Sequence, residues 1–381
     1  MNLAVRDIRH HLGRFLLTAL GLGLLLGVVL SMIGIYRGLV ADALGLVRAP
    51  GADVWVVETG TRGPFAEASR IPGDTRESIA RLAGVTEAGS LSFQAFETTH
   101  RGRKLRLQIV GYEPGRLGGP PAIVSGRGIA RDRFELVADE KTDLRPNERI
   151  AMGTDVFTVV GTTRGAVSSS GDPVVWMSLK DAQVLQFRLA PAPARREAAR
   201  GTGSTGGTAT PDTINAVVAR VSPAVSPQSV VRAAERWKHL SATTEAEQET
   251  ILTRSVVEKA RQQIGLFTTV LLTVSTVIIA LIVYTMTMDK IREIATLKLI
   301  GAPDGRIVGL IVQQALALGL IGFSVGASII VSVKDHFPRR VVMLPEDAAS
   351  LAVVVVVVCL VASGLGVRLA LRVDPATALG G

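Results

Sequence analysis

The chain has 381 residues, 48% of them apolar, and a mean hydropathy of +0.36, which excludes a disordered polypeptide and points to a membrane. The formal charge of +9 does not argue for nucleic acid: much of it flanks apolar runs, where it orients a protein in a bilayer, and aromatic residues make up only 4% of the chain, too few for base-stacking platforms. The single cysteine, Cys359, sits inside an apolar run and permits no intrachain disulfide.

Residues 1–14 carry Arg6, Arg9 and Arg14 against Asp7 alone and lead into the first apolar run. Residues 15–36 are uncharged and long enough to cross a bilayer core, which takes roughly 20 helical residues. The length of this run, and its continuation into Arg37, favour an uncleaved anchor over a signal peptide. Gly23 and Gly27 have G-x-x-x-G spacing, as do Gly322 and Gly326 further on. That spacing lets helix backbones approach closely, although the frequency of glycine in membrane helices explains it equally well.

Residues 37–263 contain no further span and read as an α+β globular domain. Strands are expected at 53–57, 104–110, 156–161, 174–177 and 214–221. The clearest is 104–110, where Leu105, Leu107 and Ile109 alternate with Lys104, Arg106 and Gln108. Short helices are expected at 75–82, at 178–186 behind a Ser178/Asp181 capping box, and after Ser226-Pro227 with Val230, Val231, Ala234 and Trp237 on one face. Residues 190–212 are rich in Pro, Ala, Gly and Thr, and read as a flexible loop. Thr244 and Glu247 form another capping box, opening a stalk helix over 244–263 that runs towards the second span.

Further spans are expected at 264–288, 307–333 and 348–367. A spanning segment must satisfy its backbone internally, so each is a helix, even the valine run at 353–358. Gln313 and Gln314 in the third span either bond a neighbouring helix or face a partner subunit. The charged stretch 289–306 between the second and third spans is itself amphipathic. Ile291, Ile294, Ala295, Leu297 and Leu299 share one arc, Arg292, Glu293 and Thr296 lie opposite, and Gly301-Ala302-Pro303 ends the helix.

Basic residues in short segments set the orientation. One side holds Arg6, Arg9, Arg14, Lys290, Arg292, Lys298, Arg306, Arg368 and Arg372; the loop 334–347 opposite holds Lys334, Arg339 and Arg340. Both termini, 289–306 and the tail 368–381 are therefore expected in the cytoplasm, with 37–263 and 334–347 outside. No catalytic constellation emerges. There is no G-x-x-x-x-G-K-[ST] loop, no H-E-x-x-H and no C-x-x-C, and the five histidines lack metal-ligand spacing. No catalytic residue, no metal ligand and no cofactor is assigned to this chain.

Three stretches carry a family resemblance: the opening LAVRDIRHHLGRFLLTALGLGLLLGVVLSMIGIYRGL, the segment KIREIATLKLIGAPDGRIVGLIVQQALALGLIG, and the end RVDPATALGG. With one span, a large outer domain and three further spans, the chain resembles the FtsX-like permeases, which include ABC transporter permeases of MacB and DevC type. The resemblance implies a basic amphipathic helix over residues 1–14 on the cytoplasmic side, leading into the first span, and a permease subunit of a bacterial inner membrane, working as a homodimer or as a heterodimer with a paralogue. ATP and magnesium would be bound by a separate ATPase subunit, and a periplasmic membrane-fusion adaptor could join the assembly. Ile291, Arg292, Glu293, Ile294, Leu297, Gly301 and Ala302 match the family's coupling segment, which would carry ATPase motion to the outer domain and drive export or extrusion. The alternative within the same architecture is a regulator that passes ATPase motion to an extracytoplasmic partner enzyme. A membrane-anchored sensor fits less well, because the expected cytoplasmic segments are too short for an output domain.

Overall fold

The computed structural model describes residues 12–61, 63, 69–168, 170–189, 212–254, 258–300, 302–337 and 340–372. The expected N-terminal helix, apart from its last residues, the loop at 190–212, apart from Asp212, and the tail beyond Arg372 lie outside them. In chain order the elements are α1 (Leu12–Arg48), β1 (Val54–Glu58), β2 (Ile71–Pro72), α2 (Thr75–Ala80), β3 (Val85–His100), β4 (Arg103–Tyr112), β5 (Ser125–Gly126) and β6 (Glu135–Asp139). Then come β7 (Arg149–Met152), β8 (Asp155–Thr163), β9 (Val174–Ser178), α3 (Leu179–Leu189), β10 (Thr213–Ile214), β11 (Ala216–Val221), α4 (Pro227–Ala234), β12 (Leu240–Thr244) and α5 (Glu245–Leu252). The last four are α6 (Glu258–Asp289), α7 (Ile291–Leu299), α8 (Asp304–Val333) and α9 (Pro345–Arg372). The chain divides into two compact units, residues 1–38 with 260–381, and residues 39–259.

The 39–259 unit is α+β. Among its described residues, the main sheet runs β12-β1-β11-β3-β4-β9-β6-β8-β5, with β7 added beside β8. Pairing is antiparallel except for β4 with β9 and β6 with β8. One core gathers Val54, Val56, Val217 and Ala219 from the sheet with Ile79 of α2 and Val230, Val231 and Ala234 of α4. A second gathers Leu107, Ile109, Leu136, Phe157, Val159 and Val175 under Ala182 and Leu185 of α3. The alternation read at 104–110 is visible in β4, where Leu107 and Ile109 are fully buried and Lys104 and Arg106 are exposed.

Three local features differ from the sequence expectation. The strand expected at 214–221 is split at Asn215, whose buried side chain accepts from Phe93 N at 2.8 Å and donates to Ser69 O at 2.7 Å. The Ser178/Asp181 capping box is only half formed: Ser178 Oγ accepts from Asp181 N at 3.2 Å, but the Asp181 carboxylate turns away to accept from Phe134 N at 2.7 Å. Asp is one methylene shorter than the Glu that usually closes such a box, and Phe134, held at a φ of 61°, presents a competing donor. The Thr244/Glu247 box is complete, but it opens the short α5, and the join to α6 at 255–257 lies outside the described residues.

The other unit is helical. Among the described residues, four helical stretches are long and apolar enough to cross a membrane: Leu16–Arg48, Ala260–Asp289, Asp304–Val333 and Pro345–Arg368. The α+β domain is inserted between the first and second. The first helix runs past Tyr36, where charge returns to the sequence, and Arg37 pairs with Asp347. Ala19, Leu22 and Leu26 of α1, Ile279 and Val283 of α6, Ile311, Ala315 and Leu318 of α8, and Val355, Cys359 and Ala362 of α9 close one buried cluster.

Candidate coupling site

The stretch between the second and third spans is built by two breaks. After Asp289 the chain turns at Lys290, whose backbone leaves helical geometry at φ −104° and ψ 11°. The helix resumes at once as α7, with Ile294 N donating to Lys290 O at 2.9 Å. It ends at Ile300, and Pro303, extended at ψ 144°, opens α8. Proline supplies no N–H, a loss that costs nothing at a helix start. Glu293 in the first turn of α7 and Lys298 in the last both suit the helix dipole.

Ile294 is buried in the cluster that also holds Ile307 at the start of α8 and Ala370 at the end of α9, and Ala295 beside it is fully buried. Ile291 and Ala302 are half-buried, and Arg292, Glu293 and Thr296 are exposed. The buried face of this short helix is therefore keyed into the helical unit, while its charged face is free. Burial pulls the Lys290 ammonium below its ordinary value, and the neighbouring Glu293 carboxylate opposes the shift. The side chain of Leu297, and Gly301 altogether, lie outside the described residues.

One expectation for the arc needs correcting. Leu299 does not share the buried face: it is 62% exposed, and Ile300 beside it is 79% exposed. Helical geometry explains this, because the inward line through Ile291 and Ile294 continues to Lys298, seven and four positions on. Lys298 is half-buried there, and its ammonium donates to Leu371 O at 2.9 Å. The sequence places Lys298 among the cytoplasmic basic residues and near the edge of the apolar arc, without a partner at a helix end. Its place on the i, i+4, i+7 line was the available signal.

The four glycines meet. A Cβ on Gly23 would stand 2.8 Å from Gly322 O and 3.2 Å from Gly326 N, and one on Gly27 would stand 3.3 Å from Gly326 O. The backbones of α1 and α8 are thus in direct contact, which only glycine permits at these positions. Gln313 of α8 is exposed and Gln314 is half-buried. Among the described residues, no group of three or more His, Cys, Asp or Glu side chains is placed to hold a metal ion.

Residues 15–237 match the MacB-like periplasmic core domain, and residues 265–375 match the FtsX-like permease C-terminal domain. Two proteins of Mycobacterium tuberculosis strain H37Rv, each named an uncharacterized ABC transporter permease, are 24% and 22% identical over 378 residues, with 99% of both chains covered. Among solved structures, the periplasmic region of MacB from Actinobacillus actinomycetemcomitans overlaps 52% of this chain and 91% of its own, at a TM-score of 0.36 and 9% identity. The extracellular domain of the noncanonic ABC-type transporter YknZ from Gram-positive bacteria overlaps 50% of this chain and 99% of its own, at 0.35 and 9%.

Proposed function

Because this chain belongs to the FtsX-like permeases with a MacB-like periplasmic core domain, and is an ABC transporter permease rather than an enzyme, we propose that it is the membrane subunit through which a separate ATPase drives movement of the α+β domain. In this reading α7 is the lever. The ATPase docks on Arg292, Glu293 and Thr296 from the cytoplasm. The displacement enters the spans through Ile294 and Ala295, and moves the domain between the first and second spans outside the membrane. The transporter works as a dimer of permease chains in the bacterial inner membrane, with both termini cytoplasmic, and moves its substrate outwards.

The observation that supports this most directly is the two-faced packing of α7. A connector that merely lay on the bilayer would turn its apolar face to lipid. Here Ile294 instead belongs to a buried cluster that draws residues from every span, and Ala295 beside it is fully buried, so a push on the charged face has a packed path inwards. The test is affinity purification of the chain from its own membranes in mild detergent, with nucleotide hydrolysis measured on the eluate. Co-elution of an ATPase chain in about equal amount, lost on Glu293→Lys while membrane insertion is unchanged, supports the reading. Equal recovery of the ATPase with the variant removes α7 as the docking site.

A further inference from the structure

Each end of α9 is tied by polar bonds to a different element. At one end the Lys298 ammonium of α7 donates to Leu371 O at 2.9 Å, one of the last carbonyls of the helix, which have no partner within it. A cation at this position also meets the negative end of the helix dipole. At the other end Arg37 of α1 grips Asp347, in the first turn of α9, through two bonds: Nε to Oδ2 at 2.9 Å and Nη2 to Oδ1 at 2.8 Å. A forked pair of this kind fixes orientation as well as distance.

The segment leading into α9 is held in the same place. Val342 N donates to Gly34 O at 3.0 Å, and a Cβ on Gly38 would collide with Arg340 O. Between the two ties α9 is one helix of 28 residues, about 42 Å long at 1.5 Å per residue. It lies against α8 so closely that Gly319 leaves no room for a Cβ beside Cys359 Sγ. Dispersion contacts along such a helix are non-directional. The bonds at its ends add directional restraints on its axial position.

We infer that the fourth span is a strut between the lever and the first helix, and that Lys298, Arg37 and Asp347 are its positioning residues. A displacement of α7 pulls on Leu371, travels the length of α9, and reaches α1 through Asp347 and Arg37. The use of such a strut rests on the coupling role proposed above, but its existence is measurable on the chain alone.

The experiment is hydrogen–deuterium exchange on the full chain in lipid nanodiscs, with no ATPase present. Lys298→Met should speed exchange in residues 291–300 and also, on the order of threefold, in residues 340–349 at the far end of the span. Asp347→Asn should act in reverse, speeding 291–300 as well as its own surroundings, because coupling is reciprocal. Lys298→Arg, which keeps a cationic donor, should exchange like the unmodified chain at both ends. Changes confined to the mutated end, or no change, overturn the strut. So does a uniform rise over all four spans in both Lys298→Met and the milder Lys298→Gln. A failed ATPase pull-down leaves a positive exchange result standing, and a negative exchange result leaves the ATPase reading standing.

Discussion

Replacing Gly326 with alanine tests the contact between α1 and α8. The added methyl would stand 3.0 Å from Gly27 N and 3.1 Å from Gly23 C, and nearer still to Gly23 O. Ordinary carbon contacts lie at about 3.5–4.0 Å, so the helices must part by roughly 0.5–1 Å. All three obstructing atoms are backbone and cannot swing aside. A gap of that size forfeits about a quarter to a half of each affected dispersion contact, and overpacking of this kind costs about 1–3 kcal/mol. Gly364→Ala is the control: a Cβ there meets nothing within 4 Å, so the substitution should be neutral or stabilising by up to ~1 kcal/mol. Equilibrium unfolding of both variants in lipid bicelles, read by steric trapping, gives the two values. If Gly326→Ala unfolds within about 0.3 kcal/mol of Gly364→Ala, below the resolution of such comparisons, then α1 and α8 do not touch backbone to backbone in the bilayer.

Other outcomes are expected in the α+β domain and across the membrane. Asn215→Ala leaves Ser69 O and Phe93 N without the partners they have now and should cost about 2–3 kcal/mol, seen as a Tm lower by about 5–10 °C. The side-chain bond from Arg127, helped by the Ala130 and Arg131 backbone amides, holds the Glu135 carboxyl at about 2 against an ordinary 4.5. Because that pKa is depressed, the stabilisation is complete above pH 4.5 and drains away as pH falls towards 2. Arg127 is half-exposed, so solvent screening limits the loss to about 1–2 kcal/mol, and Glu135→Gln should flatten the slope of an acid titration over that range. A cysteine replacing Val124, which is 47% exposed, should react with an impermeant maleimide on intact spheroplasts, whereas one replacing Thr296 should react only after lysis. The opposite pattern inverts the topology.

What the sequence made legible follows from the range of the forces involved. A bilayer demands about 20 consecutive apolar residues, so the spans announce themselves locally. Alternation does the same for β4, whose buried Leu107 and Ile109 repeat at a spacing of two. Sheet order is set by long-range pairing, and nothing local in β4 says that β9 lies parallel beside it. The length of α1 beyond the uncharged run at 15–36 is not local either: Arg37 finds its partner in Asp347, far along the chain. The same holds at α7. Periodicity found an amphipathic helix, but it put Leu299 within the apolar arc and Lys298 at its edge, where the fold turns Leu299 outwards and Lys298 inwards. A lysine is accepted there because a helix end supplies a carbonyl for it, and the location of that end belongs to the tertiary structure.

The most direct measurement is site-specific photocrosslinking in living cells from a benzoylphenylalanine placed at Glu293. The proposed coupling role requires a crosslinked product joining this chain to a nucleotide-hydrolysing subunit, stronger when ATP hydrolysis is arrested. Crosslinks only to lipid, or to a protein of the outer compartment, would contradict it.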